Sequence, residues 1–201
     1  MVLFTILFYL LLFIKTFFSM KNLNFLSLFM LTFLVLGAAS QVNAQEDKSQ
    51  RPSPPATATI TTNDLAITID YSSPGVKGRQ VLGNLIPNGK IWRLGANEAT
   101  TFNVSKDVLV EGQILHAGKY SLFSIQDGGD WTFIFNKVAD QWGAYNYDQS
   151  KDAIRVTVTP GKSSEMVERM TFNIKETKKG AADVVFNWEN IEVKFHVLQA
   201  L

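Results

Sequence analysis

Arg93 and Glu98 stand close together in a stretch, Gly83 to Thr101 (GNLIPNGKIWRLGANEATT), that no strand or turn pattern explains. A guanidinium presents a planar fork of donors that fits a carboxylate on two bonds. The pair therefore reads as a substrate clamp, as an acid/base couple or, more plainly, as an internal ion pair pinning a glycine-rich segment. The plain reading is preferred. Gly83, Gly89 and Gly95 allow close backbone approach and positive φ, so Lys90 and Asn97 can converge on the same place. A second irregular stretch, Asp140 to Asp152 (DQWGAYNYDQSKD), carries Trp142, Tyr145 and Tyr147 beside Gln141, Asn146 and Asp148. Loops of that length in a compact domain are uncommon and often functional. Flat aromatic rings bordered by amides and acids suit the apolar faces and hydroxyls of a sugar. Trp142, with polar neighbours, is either a pocket wall or a plain surface residue. Glu98 and Asp148 could supply the facing carboxylates that glycoside hydrolysis requires, but nothing in the sequence brings them together.

Other chemistries are weaker or excluded. The chain has no Cys, which removes disulfides, thiolate metal sites and a Cys nucleophile together. His116 and His196 are the two histidines. They lie far apart without an H-x-H or H-E-x-x-H pattern, and read as surface residues rather than metal ligands. No Ser sits in G-x-S-x-G, so Ser121 and Ser124 read as strand positions. Asp127-Gly128-Gly129-Asp130 lacks the spaced ligands and final Glu of a calcium loop and reads as a hairpin turn. No metal and no cofactor is expected. Nor is nucleic acid, because 19 Lys and Arg against 18 Asp and Glu give no basic field for a phosphate backbone.

The elements that must position these residues are strands. Leu65, Ile67, Ile69 and Tyr71 alternate with polar or small residues, as do Ile154, Val156 and Val158, then Met170, Phe172 and Ile174, then Ile191, Val193, Phe195 and Val197. Clean alternation marks antiparallel strands with one wet face. Glu111-Gly112, Asp127-Gly128-Gly129 and Glu189-Asn190 read as breaks between paired strands. No amphipathic helix of useful length is present. Trp92, Trp131 and Trp188 fall within apolar strand patterns and are expected in the core. The fold class is all-β: a single antiparallel two-layer β-sandwich of about eight to ten strands over 57–201.

A hydrophobic N-terminal segment precedes this domain. Lys21, an apolar run from Leu23 to Leu36 and the small-x-small close Val42-Asn43-Ala44 form a secretory signal peptide cut after Ala44. Residues 1–44 are thus the expected leader and the product periplasmic or secreted, touching a membrane only through an uncleaved N-terminal segment. Residues 1–19 are apolar apart from Lys15. They are either the result of a start called too early, with Met20 the true first residue, or an extra hydrophobic anchor. The first is preferred, because Met20-Lys21-Asn22 begins a signal peptide by itself. Residues 45–56, ending in Arg51-Pro52-Ser53-Pro54-Pro55, read as a polar, Pro-rich linker, disordered or extended and unable to join a sheet.

Several runs together resemble the domain-of-unknown-function family 2911, found mainly in exported bacterial proteins. They are Lys77-Gly78-Arg79, GKIWRLGANEATTF from Gly89 to Phe102, Ser105-Lys106-Asp107-Val108, Ala117 to Phe123, Trp131 to Lys137 and Trp142-Gly143-Ala144-Tyr145. The pattern departs at Asn88, where an aromatic is usual, and at His116, where Pro is. The resemblance implies export and a single β domain, and brings no activity or catalytic residue.

The expected function is a non-catalytic binding module for a glycan, an envelope fragment or a small polar ligand, using Lys90, Arg93, Asn97, Glu98, Trp142, Tyr145, Tyr147 and Asp148. The alternatives are a structural or protein-interaction domain with an envelope partner, and a hydrolase using Glu98 or Asp148. N-terminal sequencing of the exported product is expected to begin Gln45-Glu46-Asp47. A start within residues 1–19 would replace the cleaved leader by an anchor.

Overall fold

Tight turns fold the alternating runs into hairpins. In the computed structural model, which describes residues 47–200, β1 (Pro55–Thr62) and β2 (Leu65–Ser72) meet through Asn63 and Asp64, with φ of 47° and 62°. Two consecutive left-handed residues match the twist of a hairpin. Glu111 and Gly112, at 47° and 81°, join β4 (Val108–Val110) to β5 (Gln113–Leu115) in the same way. Asp127 to Asp130 joins β6 (Gly118–Gln126) to β7 (Trp131–Asn136), and Lys179-Gly180 joins β9 (Gly161–Lys178) to β10 (Ala181–Gln199). With β3 (Thr101–Val104) and β8 (Asp152–Val158), ten strands form two antiparallel sheets in the orders β1-β2-β3-β6-β7-β8 and β5-β4-β10-β9. The described residues contain no α-helix, only short 3-10 turns at Lys48–Gln50 and Gln149–Lys151. The leader 1–44 and its cleavage site lie outside the described residues.

The inner faces make one core. Ile67 and Ile69 of β2, Leu122 of β6 and Phe133 and Phe135 of β7 pack against Phe186, Val193 and Phe195 of β10. Trp92, Trp131 and Trp188 are all buried there.

Glu189-Asn190 is corrected: it does not separate two strands. It lies inside β10, where pairing with β9 shifts register, and Glu189 has φ of 56°. Val184, Phe186 and Trp188 face the core before it, and Ile191, Val193, Phe195 and Val197 after it. The inward residues thus change from even to odd numbers across the bulge. A bulge adds one residue to one strand and reverses which positions face in, so one bent strand carries the alternation of two.

The linker is corrected at its C-terminal end. Pro55 and Ala56 are the first residues of β1, opposite Ser72 and Tyr71. β1 is an edge strand, and Pro is tolerated at the first position of such a strand, where no ladder bond is forfeited. Upstream, Asp47 caps the 3-10 turn by accepting from Ser49 N–H at 3.0 Å, and Pro54 O accepts from Ser73 N–H at 2.9 Å.

The Gly83–Thr101 segment takes over beside β6 where β3 ends. Trp92 and Ser124 exchange reciprocal backbone bonds of 2.8 Å, and Leu122 N–H reaches Thr100 O at 2.7 Å. Between these contacts the chain loops out and closes through Thr100 N–H to Arg93 O at 3.2 Å. The loop passes so near the end of β2 that a Cβ on Gly95 would lie 2.9 Å from the backbone oxygen of Ser72 and 3.2 Å from Thr100 Oγ1. Gly95→Ala is therefore expected to lower stability by about 1–3 kcal/mol through overpacking. It should read as a lower urea midpoint at unchanged slope. Gly129→Ala, whose Cβ meets nothing within 4 Å, should change stability by less than about 0.5 kcal/mol.

Candidate functional site

The two irregular stretches meet. Ala99 N–H donates to Gln141 O at 3.0 Å, Gly143 N–H donates to Asn97 O at 3.1 Å, and Glu98 and Trp142 form an antiparallel bridge. Beneath them lies the outer face of the six-stranded sheet. Phe123 of β6 and Ile134 of β7 are fully buried there, packed with Ala99, Ile91, Ala144 and Tyr147. Both faces of central β6 are thus covered, the outer one by loops rather than by a second sheet. Ser121 Oγ fastens the long loop through Val138 O at 2.6 Å and Ala139 O at 2.9 Å. Asn136 Nδ2 fastens its far end through Asp148 O at 2.9 Å and Asp152 Oδ1 at 2.8 Å.

Glu98 does not pair with Arg93, and the internal ion pair expected between them is corrected. Arg51 Nη1 donates to both oxygens of Glu98, at 3.1 and 2.9 Å, and Lys48 Nζ donates at 2.9 Å. The partners come from the stretch read as a linker. Asn97, with φ of 57°, stands just before Glu98, and its Nδ2 bonds Ser53 O and Ser72 Oγ, each at 3.2 Å. Asn97 thus holds the N-terminal segment in place rather than facing an open site. Arg51 also lies 6.0 Å from the centroid of the Trp142 ring, within reach of a cation–π contact. Partial burial works against the Glu98 charge, but hydrogen bonds from Lys48, its own backbone N–H and Arg51 outweigh it. Together they hold its pKa at about 2. A carboxylate so held stays ionised at neutral pH and has no proton to give as a general acid.

Arg93 is left without that partner. Its Nε is buried and has no hydrogen-bond partner among the described residues. Burial pulls its pKa down, opposed by the nearby Tyr145. Tyr145 is 85% exposed and Trp142 56% exposed. Tyr145 is nevertheless placed, because its ring lies against Gly143, where a Cβ would come within 2.9 Å of it. Two aromatic rings thus stand in solvent on a fastened loop, with Arg51 against one and Arg93 near the other.

The remaining candidates hold the loop. Tyr147 turns inward, edge-on to Phe123 at 5.2 Å, donating to Asp152 Oδ2 at 2.7 Å and accepting from Arg155 Nη2 at 2.6 Å. Burial first, and Asp152 second, push its hydroxyl up to about 12. Asp148 caps the Gln149–Lys151 turn by accepting from Ser150 N–H at 2.9 Å. Lys90 is exposed beside Gly89, and the side chains that bond Glu98 among the described residues are Lys48 and Arg51 instead. His116 and His196 each rest a ring nitrogen on a carboxylate, Asp107 at 2.9 Å and Asp183 at 3.0 Å. No group of three metal-binding side chains occurs among the described residues. Sequence reasoning missed Lys48 and Arg51, for which the only signal was a stiff Pro-rich run feeding directly into a strand. It also missed a concavity of about 450 Å³ at one end of the sandwich. That concavity is lined by Leu82, Trp131, Lys162, Glu189 and Ile191 among others, and by none of the candidate residues.

A family model described as "Protein of unknown function (DUF2911)" matches residues 53–197. No curated protein and no solved structure matches this chain.

The Glu98 carboxylate makes acid stability a readout of this cluster. Its pKa is depressed in the folded state from an ordinary 4.5 to about 2. Its contribution is therefore full above about pH 4.5 and lost as pH falls through 2. Because the group is partly solvated, Glu98→Gln is expected to cost about 0.5–1 kcal/mol at pH 7. Wild type and variant should converge as pH drops from 4.5 towards 2. Acid unfolding curves that stay parallel over that range would show that the pair contributes nothing.

Proposed function

We propose, for a chain that belongs to the DUF2911 family of proteins of unknown function, a role as a non-catalytic binding module that takes a glycan, an envelope fragment or a small polar ligand on the Trp142–Tyr145 loop. The observation that carries this reading is the pair of solvent-facing rings on a loop held by Ser121, Asn136 and the Gly143–Asn97 bond. Holding large aromatic side chains in water on a fastened segment leaves apolar area unburied. A binding surface puts that area to use. The flanking guanidiniums and the Asn146 amide supply the few polar groups that orient a ligand over apolar rings. Export to the periplasm or the cell exterior, which the leader suggests, would place such a module among envelope sugars.

A hydrolase is disfavoured on chemical grounds. Glu98 is saturated by Arg51 and Lys48, and Asp148 is engaged in capping a turn. A carboxylate pair working as acid and base needs one member kept protonated, and neither environment raises a pKa.

Titration calorimetry with peptidoglycan fragments and oligosaccharides tests the reading. Trp142→Ala and Tyr145→Ala are each expected to weaken binding about tenfold or more, which is about 1.4 kcal/mol, with melting temperatures unchanged. Silence across such a screen, alongside a stable complex with an envelope protein, would favour an interaction domain instead.

A further inference from the structure

We infer that the Trp142–Tyr145 loop selects ligands that carry a carboxylate, an acidic sugar in preference to its neutral counterpart, with the outer edge of the Arg93 guanidinium as the group that reads the charge. This inference rests on the binding role proposed above and adds to it the class of ligand. Arg93 is a cation whose Nε is stripped of water and left with no acceptor. Desolvating a charged donor without a partner is costly, and arginines buried for structural reasons recover that cost from a carboxylate or a carbonyl. Arg93 recovers it from neither. The carboxylate nearest to it in sequence, Glu98, is taken by Arg51 and Lys48. The terminal Nη groups are not among the buried unpartnered atoms, and Arg93 as a whole is only half-buried, which leaves them open to an incoming acceptor. They offer two parallel N–H donors, the arrangement that a planar carboxylate accepts end-on.

The surroundings agree in sign. Lys48 and Arg51 share the carboxylate of Glu98, and Arg93 adds a third cation to the same region, while the chain as a whole is close to neutral. Tyr145, whose charge bears on the ionisation of Arg93, carries an exposed apolar ring in the same cover of loops. A ring bearing a carboxylate can therefore stack and pair at once. A neutral sugar would gain only the stacking.

Matched pairs test this: N-acetylmuramate against N-acetylglucosamine, and glucuronate against both glucose and the methyl ester of glucuronate. They are titrated into the protein as purified from the cells that make it, with oligosaccharides of each class in parallel. At pH 7 each acid is expected to bind at least about tenfold more tightly than its neutral partner, a margin that one charge-assisted pair supplies. The margin should shrink at high salt. Arg93→Gln should remove the acid preference, bringing each acid and its neutral partner to the same affinity. Arg93→Lys, which keeps the charge but loses the fork, should remove most of it. Trp142-dependent binding with equal affinity for acid and ester would overturn the carboxylate inference and leave the binding role standing. Binding by neither class would overturn both. The acid–ester comparison on the unmodified protein decides the matter even if the Arg93 variants fail to fold.

Discussion

The indole of Trp92 is the contact on which the surface chemistry depends. It belongs to the irregular Gly83–Thr101 segment, yet it is buried between the sheets, stacked on Trp188 of β10 with centroids 5.9 Å apart and planes 11° from parallel. Edge-on contacts add Trp131 of β7 at 6.4 Å and Phe186 of β10 at 6.1 Å. One side chain thereby ties a segment without regular structure to both layers of the sandwich. Aromatic pairs in such geometries contribute about 0.5–1.5 kcal/mol each beyond the area they bury. The backbone of the same residue is held by the reciprocal bonds to Ser124. Arg93 follows directly, so its position is set by an anchor in the core, which is how a functional group on a loop comes to have a defined place.

The outer face of the six-stranded sheet carries the second half of that constraint. β6 and β7 present Phe123 and Ile134 outward, and no second sheet covers them. Leaving them wet would forfeit the burial of two large apolar side chains, about 1.5–3 kcal/mol apiece. The chain covers them with the two irregular stretches. These must in turn satisfy their own backbone groups, and they do so by pairing with each other at Ala99–Gln141 and Asn97–Gly143. Convergence of the two loops is thus a consequence of apolar burial. The arginines and exposed rings are carried along on the outer side of that cover.

Much of this was legible in the sequence, and the failures have physical causes. Period-two alternation identified β2, β8, β9 and the second half of β10, because each of these runs sends alternate side chains into the core. The Glu189-Asn190 bulge was read as a turn because a left-handed residue and a reversal of alternation look alike whether the chain doubles back or merely bends. The rings of Trp142 and Tyr145 were picked out by their polar surroundings, and both are exposed. The Arg93–Glu98 pairing failed for a different reason. Inside an irregular loop, sequence spacing does not fix side-chain direction, and the competing cations were dozens of residues upstream. The composition of 45–56 gave no hint of a docked segment, because what docks it is Ser53 O, Pro54 O, Lys48 and Arg51, backbone carbonyls and two charges rather than an apolar pattern.

That docking decides what Glu98 can do. Without Lys48 and Arg51 its carboxylate would lose the charged donors that hold it. With them in place Glu98 is doubly compensated, its pKa falls to about 2, and the charge that remains unanswered is the guanidinium of Arg93. An ion pair between segments also removes an option: the carboxylate of Glu98 is no longer free to act on a ligand. The N-terminal segment therefore does two things with one set of contacts. It completes the edge of the sheet through Pro54 and β1, and it occupies the carboxylate of Glu98. In the binding role proposed above, Arg93 is then the guanidinium left to meet a ligand.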